Sequence, residues 1–380
     1  MPNNKKVLVI SHKFLTQPDD DLVQYLNSMG REDVMHITHS FSDAPDRVSR
    51  CRWYKNGTLW KEYLTKDYSR LPEIYIYIRE LLFTVSSVFK TKLYWDTVIG
   101  ADGLCVFYGL VLKFFRKVRK VNYWAMDFVP NNRFRSKLKN YIYHCVNKFG
   151  YRNADEMWDL SPRMADAREK FLGIDRKMYK FHRVVPYGVW VDKIRIYTYD
   201  ECEKSTMVFL GHLIEKQGVQ VVLGAIPELI KKIADFKFKI IGTGIYETEL
   251  KHITVELGIE KHVQFLGKIE PKDYENEIAK SCVAIAPYIE KLDKWTKYAD
   301  PGKVKTYLAC GVPVLLTDVP WNAKEIAELN AGLIVDENIE SIAKAAIYLF
   351  DASINQNYRT NARLYSTKYD YNRILKELSI

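Results

Sequence analysis

The chain has 380 residues, 47% of them apolar and 27% charged. That length exceeds what one hydrophobic core fills, so two domains are expected, and the composition excludes a disordered chain. The formal charge of +10 is uneven: residues 1–190 hold 32 Lys and Arg against 20 Asp and Glu, whereas residues 191–380 hold 25 against 27.

Taken in order, "MPNNKK" runs straight into the strand-like "VLVI", which does not read as a signal peptide. Strand-like runs continue with "DTVIGAD", "KVNYWAMD" and "DEMWDLS", and after residue 204 with "STMVFLG", "FKFKIIG", "HVQFLG", "CVAIAPY" and "VPVLLTD". Each ends in a polar or glycine turn and leads into a helical pattern, the sign of βα units and parallel sheets. The polar stretch "KIRIYTYDECEK" divides two such sets. We therefore expect a doubly wound domain over 1–192, a linker over 193–204 and a second doubly wound domain over 205–360. Ligands of such sheets bind beyond the carboxyl ends of the strands, and two facing domains would share a central cleft.

No apolar run reaches membrane-spanning length; the nearest, "IYIYIRELLFTVSSVF", is broken by Arg79 and Glu80. The six cysteines form no CxxC pair, which argues against a zinc site or disulfide framework and suits a reducing cytosol. The histidines show no metal-ligand spacing, so no metal site is expected. Basic residues are densest in "KFFRKVRK" and "RFRSKLK". A solvated helix face, nucleic acid or an anionic membrane surface would each account for them. The Trp and Tyr residues are not spaced as a base-stacking platform, so nucleic acid is not expected.

Three strand ends in the second half carry glycines: Gly211 with Gly218, Gly242 with Gly244, and Gly267, which is followed by Lys268. Helix N-termini in such turns offer free N–H groups to an anion. "YADPGKVKTYLACG" (298–311) supplies a fourth, with Lys303 in its first turn. The helix dipole disfavours a cation there, so Lys303 either points into solvent or meets a bound phosphate. Asp300 either caps this helix or contacts ligand hydroxyls.

Residues 205–350, from "VFLGHLIEKQG" through "IIGTGIYETEL", "FLGKIEPKDY" and "TYLACGVPVLLTD" to "NAGLIV", resemble the donor domain of family-4 GT-B glycosyltransferases. "NADEMWDLSPRM" and "VVPYGVWVD" fall where such enzymes leave their acceptor domain. "YSTKYDYNRILKEL", within 361–380, resembles their C-terminal helix that crosses back to the first domain.

The resemblance implies transfer from a nucleotide-diphosphate sugar of UDP or GDP type, with no other cofactor and no metal, usually with retention. Four family positions depart: the clamp arginine is His212, the clamp lysine is Gln217 with Lys216 beside it, and the two E-x7-E glutamates are Tyr298 and Thr306. Donor binding is thereby expected of Gly211, His212, Lys216, Gly242, Gly244, Lys268, Tyr298, Asp300, Lys303 and Thr306. Charge on the departing diphosphate then falls to Lys303, Lys216 and His212.

On the acceptor side, Asp127 follows Met126 at the position of the family's active-site histidine, and Asp102 ends the neighbouring strand. Each is a general-base candidate or a turn cap. Arg163 after "SP" faces the cleft or only caps. The catalytic set is Asp127, Lys303 and Asp300. The expected acceptor is lipid-linked or a polymeric glycan, with the basic first half placing the protein on the inner face of the cell membrane. Two other readings stand beside this one: a non-catalytic GT-B-like subunit, motivated by the missing glutamates, and a sugar-nucleotide epimerase.

Overall fold

The computed structural model describes residues 5–13, 18–40, 44, 46–126, 128–129, 132–292, 295–378 and 380. The chain forms two units, residues 1–186 with 375–380, and residues 187–374.

The first unit contains strands β1 (Val7–Lys13), β2 (Asp33–Ser40), β3 (Ser49–Lys55), β4 (Thr58–Leu64), β5 (Trp95–Gly100), β6 (Val118–Ala125), β7 (Glu156–Asp159) and β8 (His182–Val184). Its helices are α1 (Pro18–Ser28), α2 (Glu73–Lys90), α3 (Gly103–Phe114), α4 (Lys137–Asn153) and α5 (Pro162–Leu172). The sheet order is β4-β3-β2-β1-β5-β6-β7-β8. Strands β2, β1, β5, β6, β7 and β8 pair in parallel. β3 and β4 add an antiparallel hairpin. Six of the seven residues of β1 are buried, as a central parallel strand requires. Asn56 and Gly57 both have positive φ, 48° and 79°, which closes the β3–β4 hairpin in the primed turn that matches strand twist.

The second unit has a six-stranded parallel sheet of order β11-β10-β9-β12-β13-β14. Its strands are β9 (Glu203–Leu210), β10 (Lys237–Ile241), β11 (Val263–Gly267), β12 (Ser281–Ala286), β13 (Val314–Leu316) and β14 (Gly332–Ile334). Its helices are α6 (Val219–Lys232), α7 (Glu247–Glu256), α8 (Pro271–Lys280), α9 (Gly302–Ala309), α10 (Ala323–Glu328), α11 (Ile339–Leu349) and α12 (Ala352–Ser366), and α13 (Tyr371–Glu377) follows. Phe209, Leu223, Phe238, Ile285, Leu315 and Ile342 close its core.

The division falls at 186/187, ahead of the expected linker. The backbone N–H of Tyr187 donates to Asp300 Oδ2 at 2.7 Å and its C=O accepts from Lys305 at 2.9 Å, which fixes this stretch to the second unit. α12 also belongs there: Arg359 donates to the carbonyls of Ser281, Tyr197 and Ala279 at 3.0–3.1 Å. Only residues 375–380 rejoin the first unit, a shorter return than the expected 361–380.

Candidate active site

In the second unit the strand order turns at β9, whose neighbours are β10 and β12, so this is its switch point. The glycines cluster here because their turns lean on one another. The N–H of Gly211 donates to Ile241 C=O at 2.9 Å and that of Gly242 to Gly267 C=O at 2.8 Å. A Cβ on Gly242 would sit 2.0 Å from Gly211 O, and one on Gly244 2.2 Å from Leu213 O. Gly218 has φ +75° and would bring a Cβ to 1.7 Å from Pro287 O. Gly218→Ala is therefore expected to cost more than the ~1–2 kcal/mol of the left-handed conformation alone, as measured by denaturant unfolding.

Lys303 reaches into this cluster. Its ammonium lies 4.2 Å from the Phe209 ring centre and 4.5 Å from that of Tyr288, and donates to Gln217 Oε1. A Cβ on Gly211 would stand 3.2 Å from its Nζ. Burial, with the nearby Lys216 charge, holds its pKa well below the usual lysine value. The family resemblance implies a lysine where Gln217 stands, and the Lys303 ammonium arrives from α9 and meets the Gln217 side chain.

The other expected residues divide. Gly211, Gly242, Gly244, Lys216 and Lys303 come together. His212 and Lys268 are exposed on the flanking turns. Tyr298 is buried with its ring 6.5 Å from Trp295, and the Thr306 hydroxyl donates back to Gly302 C=O at 3.4 Å.

Asp300 corrects its expectation. Pro301, not Asp300, is the N-cap of α9, and no side chain caps that helix. Both Asp300 oxygens are engaged in the interior: Oδ2 accepts from Tyr187 N–H and the Lys305 ammonium, and Oδ1 accepts from the Trp321 indole at 2.8 Å. A carboxylate so occupied holds structure, joining the Tyr187 backbone, the Lys305 ammonium and the Trp321 indole.

In the first unit the switch point lies at β1, between β2 and β5. Asp102 follows β5 and caps α3, its Oδ1 accepting from Cys105 N–H at 3.0 Å. Its Oδ2 is 2.7 Å from Nδ1 of His12, a residue of β1 that sequence reasoning left among ordinary histidines. His12 Nε2 lies 3.1 Å from Glu80 Oε2, which also accepts from Tyr108 at 3.2 Å. Burial alone would lower the His12 pKa; the Asp102 carboxylate overrides it and raises the value well above normal. The signal available in sequence was a polar residue ending each of two neighbouring strands, "VISH" and "IGAD". Asp127 lies outside the described residues. Arg163 is half-buried in the first turn of α5, after Ser161 and Pro162.

Residues 204–352 match the family described as Glycosyl transferases group 1. The chain is 26% identical over 178 residues to an uncharacterized glycosyltransferase of Haemophilus influenzae, covering 46% of this chain and 48% of that protein. It is 27% identical over 153 residues to a GDP-mannose-dependent monoacylated alpha-(1-6)-phosphatidylinositol monomannoside mannosyltransferase of Corynebacterium glutamicum, 38% of each chain. These relatives are matched over less than half of their own length. Across whole chains the fold is similar to sucrose-phosphate synthase of Thermosynechococcus elongatus, with TM-score 0.69, 15% identity and coverage of 99% and 97%. HepE of Anabaena, solved with UDP, gives 0.68, 12% identity and 98% of both chains. The chain therefore has the GT-B fold. Within its second unit, residues 204–352 are similar to the glycosyl transferases group 1 family.

Proposed function

We propose that this protein is a glycosyltransferase whose second unit binds a nucleotide-diphosphate sugar, with Lys303 on the diphosphate. The observation that carries the reading is a cation held among glycine turns at the switch point of the sheet. Negative charge grows on the leaving diphosphate during transfer, and a preorganised cation there stabilises that charge more than it stabilises the ground state. Lys216 adds to the field. Retention, and reliance on protein cations rather than a metal at the diphosphate, follow from the family resemblance. Thermal unfolding with UDP, GDP, UDP-glucose and GDP-mannose tests the reading: at least one is expected to raise the midpoint, and silence across the panel overturns it. Such silence would favour a non-catalytic GT-B-like subunit, which the Tyr and Thr in place of the two glutamates would then explain.

The acceptor in this reading is a lipid-linked or polymeric glycan presented at an anionic membrane surface. Among the described residues no helix is long and apolar enough to cross a membrane. α2 instead exposes Ile74, Ile78 and Leu82, spaced one turn apart, and α3 ends on Phe114 and Phe115, 81% and 54% exposed. Phe89 of α2 packs edge-on against Phe115 at 6.2 Å, so the two apolar surfaces adjoin. Lys113, Arg116, Lys117 and Arg119 flank them. Apolar side chains amid basic ones suit the interface of anionic lipids. Co-sedimentation with anionic vesicles at low salt is expected and should weaken as salt rises. Leu82→Ser with Phe114→Ser should reduce it about tenfold or more, given ~1.5–3 kcal/mol per buried large apolar side chain. Equal binding to neutral vesicles would count against it.

A further inference from the structure

The cluster at the switch point of the first unit contains three different kinds of ligand atom pointed at one place. His12 Nδ1 is 2.7 Å from Asp102 Oδ2 and 3.4 Å from Cys105 Sγ, and Cys105 Sγ is 3.1 Å from Asp102 Oδ2. They come from two backbone segments fixed by the sheet: the end of β1, and the β5–α3 turn. A Cβ at Gly100 would meet Val106 N at 2.7 Å, and one at Gly103 would meet Asn147 Oδ1 at 2.8 Å, so that turn is packed too closely to drift. Imidazole, thiolate and carboxylate together are a donor set for zinc and its neighbours rather than for magnesium or calcium.

The surroundings of His12 add an independent observation. Its other nitrogen, Nε2, lies 3.1 Å from the carboxylate of Glu80, itself only 1% exposed and held by the Tyr108 hydroxyl. A histidine that binds a metal through one nitrogen almost always gives its other N–H to a carboxylate or carbonyl, which fixes tautomer and ring plane. Here the supporting carboxylate and its own partner are both present. Solvent access is one-sided as well: the Asp102 side chain is 38% exposed and that of His12 10%, whereas Cys105 is fully buried.

We propose that His12 Nδ1, Asp102 Oδ2 and Cys105 Sγ form a binding site for a divalent metal ion of the zinc class, with a fourth position open towards Asp102. Bonds of about 2.0–2.3 Å place tetrahedral ligand atoms roughly 3.3–3.7 Å apart. The His12–Cys105 separation already fits, and a small rotation of the Asp102 carboxylate opens the other two. On binding, the Cys105 thiol proton and the proton on His12 Nδ1 leave to solvent, so the ion replaces two protons on the same three atoms. Without a metal, these contacts are only an imidazolium held between Asp102 and Glu80. The site is independent of the donor reading, since no residue of the second unit takes part.

The test uses the full, tag-free chain, stripped with chelator and titrated with Co²⁺. One equivalent is expected, with a near-ultraviolet sulfur-to-cobalt charge-transfer band that Zn²⁺ abolishes. Cys105→Ser should remove the band. Cys145→Ser, at the exposed cysteine, and His36→Gln, in the separate Asp19–Asp20–His36 cluster, should leave it intact. Glu80→Gln, which touches no metal, should weaken binding about 10-fold or more. Absence of the band in the native chain, its survival in Cys105→Ser, its loss in Cys145→Ser or an unchanged affinity in Glu80→Gln would each overturn the proposal. Should Cys105→Ser not fold, the native titration with the Glu80 and Cys145 variants decides it alone.

Discussion

Lys303→Met is expected to weaken binding of a nucleoside diphosphate or nucleotide sugar about 10- to 100-fold while leaving the affinity of the bare nucleoside within about twofold. Methionine keeps the unbranched stem that packs between Phe209 and Tyr288, so the change removes charge and little volume. A hydrogen bond to a charged group contributes roughly 1.5–3 kcal/mol, which sets the range. The pH dependence has a definite sign. In the free protein burial depresses the Lys303 pKa, and a bound diphosphate raises it. Between those two values the free amine is neutral and the bound one charged, so binding takes up a proton and affinity falls as pH rises. Calorimetry in buffers of different ionisation enthalpy reads that proton directly, and Lys303→Met should abolish it. Equal losses for nucleoside and diphosphate would remove Lys303 from the phosphate.

All nine strand-like runs named from sequence are parallel strands; eight of them are buried along their apolar runs and need no alternation, while β11, at the sheet edge, buries only Val263. The strands left unread are those whose chemistry departs from that rule. β2 reads "DVMHITHS", and its buried His36 and His39 interrupt the apolar pattern while hydrogen-bonding to Asp19, Ser49 and Thr84 inside the fold. β4 is almost wholly exposed, so burial leaves no mark on its sequence. The "NG" between β3 and β4 was a legible hairpin signal that a search for βα units passes over.

The site shows the same division. Glycines in turns announce themselves through backbone needs, and the switch point of the second unit was legible from them. A side chain reaching in from a distant helix is not, because contact between Lys303 and Gln217 spans 86 residues of chain. His12 and Asp102 stand 90 residues apart, and only the parallel pairing of β1 with β5 makes them neighbours. Spacing rules for metal ligands presume loops or single helices, so a ligand set assembled by a sheet leaves no such spacing.

Asp300→Asn is expected to destabilise the second unit by about 3–5 kcal/mol, because it leaves the Lys305 ammonium buried without its counter-ion. Asp300 is 3% exposed and Lys305 1%, and the two are joined by an ion pair. For a unit of this size that loss lowers the unfolding midpoint by roughly 6–20 °C. Lys305→Met alone should cost a similar amount, since Asp300 then keeps only the Tyr187 N–H and the Trp321 indole. The double change Asp300→Asn with Lys305→Met should recover much of the loss, because no unpaired charge remains and methionine can lie against the Tyr369 ring that Lys305 now faces at 4.4 Å. Nucleotide affinity of the folded fraction should stay within about twofold in all three variants. A donor-binding or catalytic carboxylate would behave in the opposite way, losing affinity or turnover with little change in midpoint, and the double change would restore nothing. The Asp-Pro pair that reads as a helix cap is in this protein the anchor of the segment entering the second unit, with Lys305 two residues beyond Lys303 and turned to the interior on the same helix.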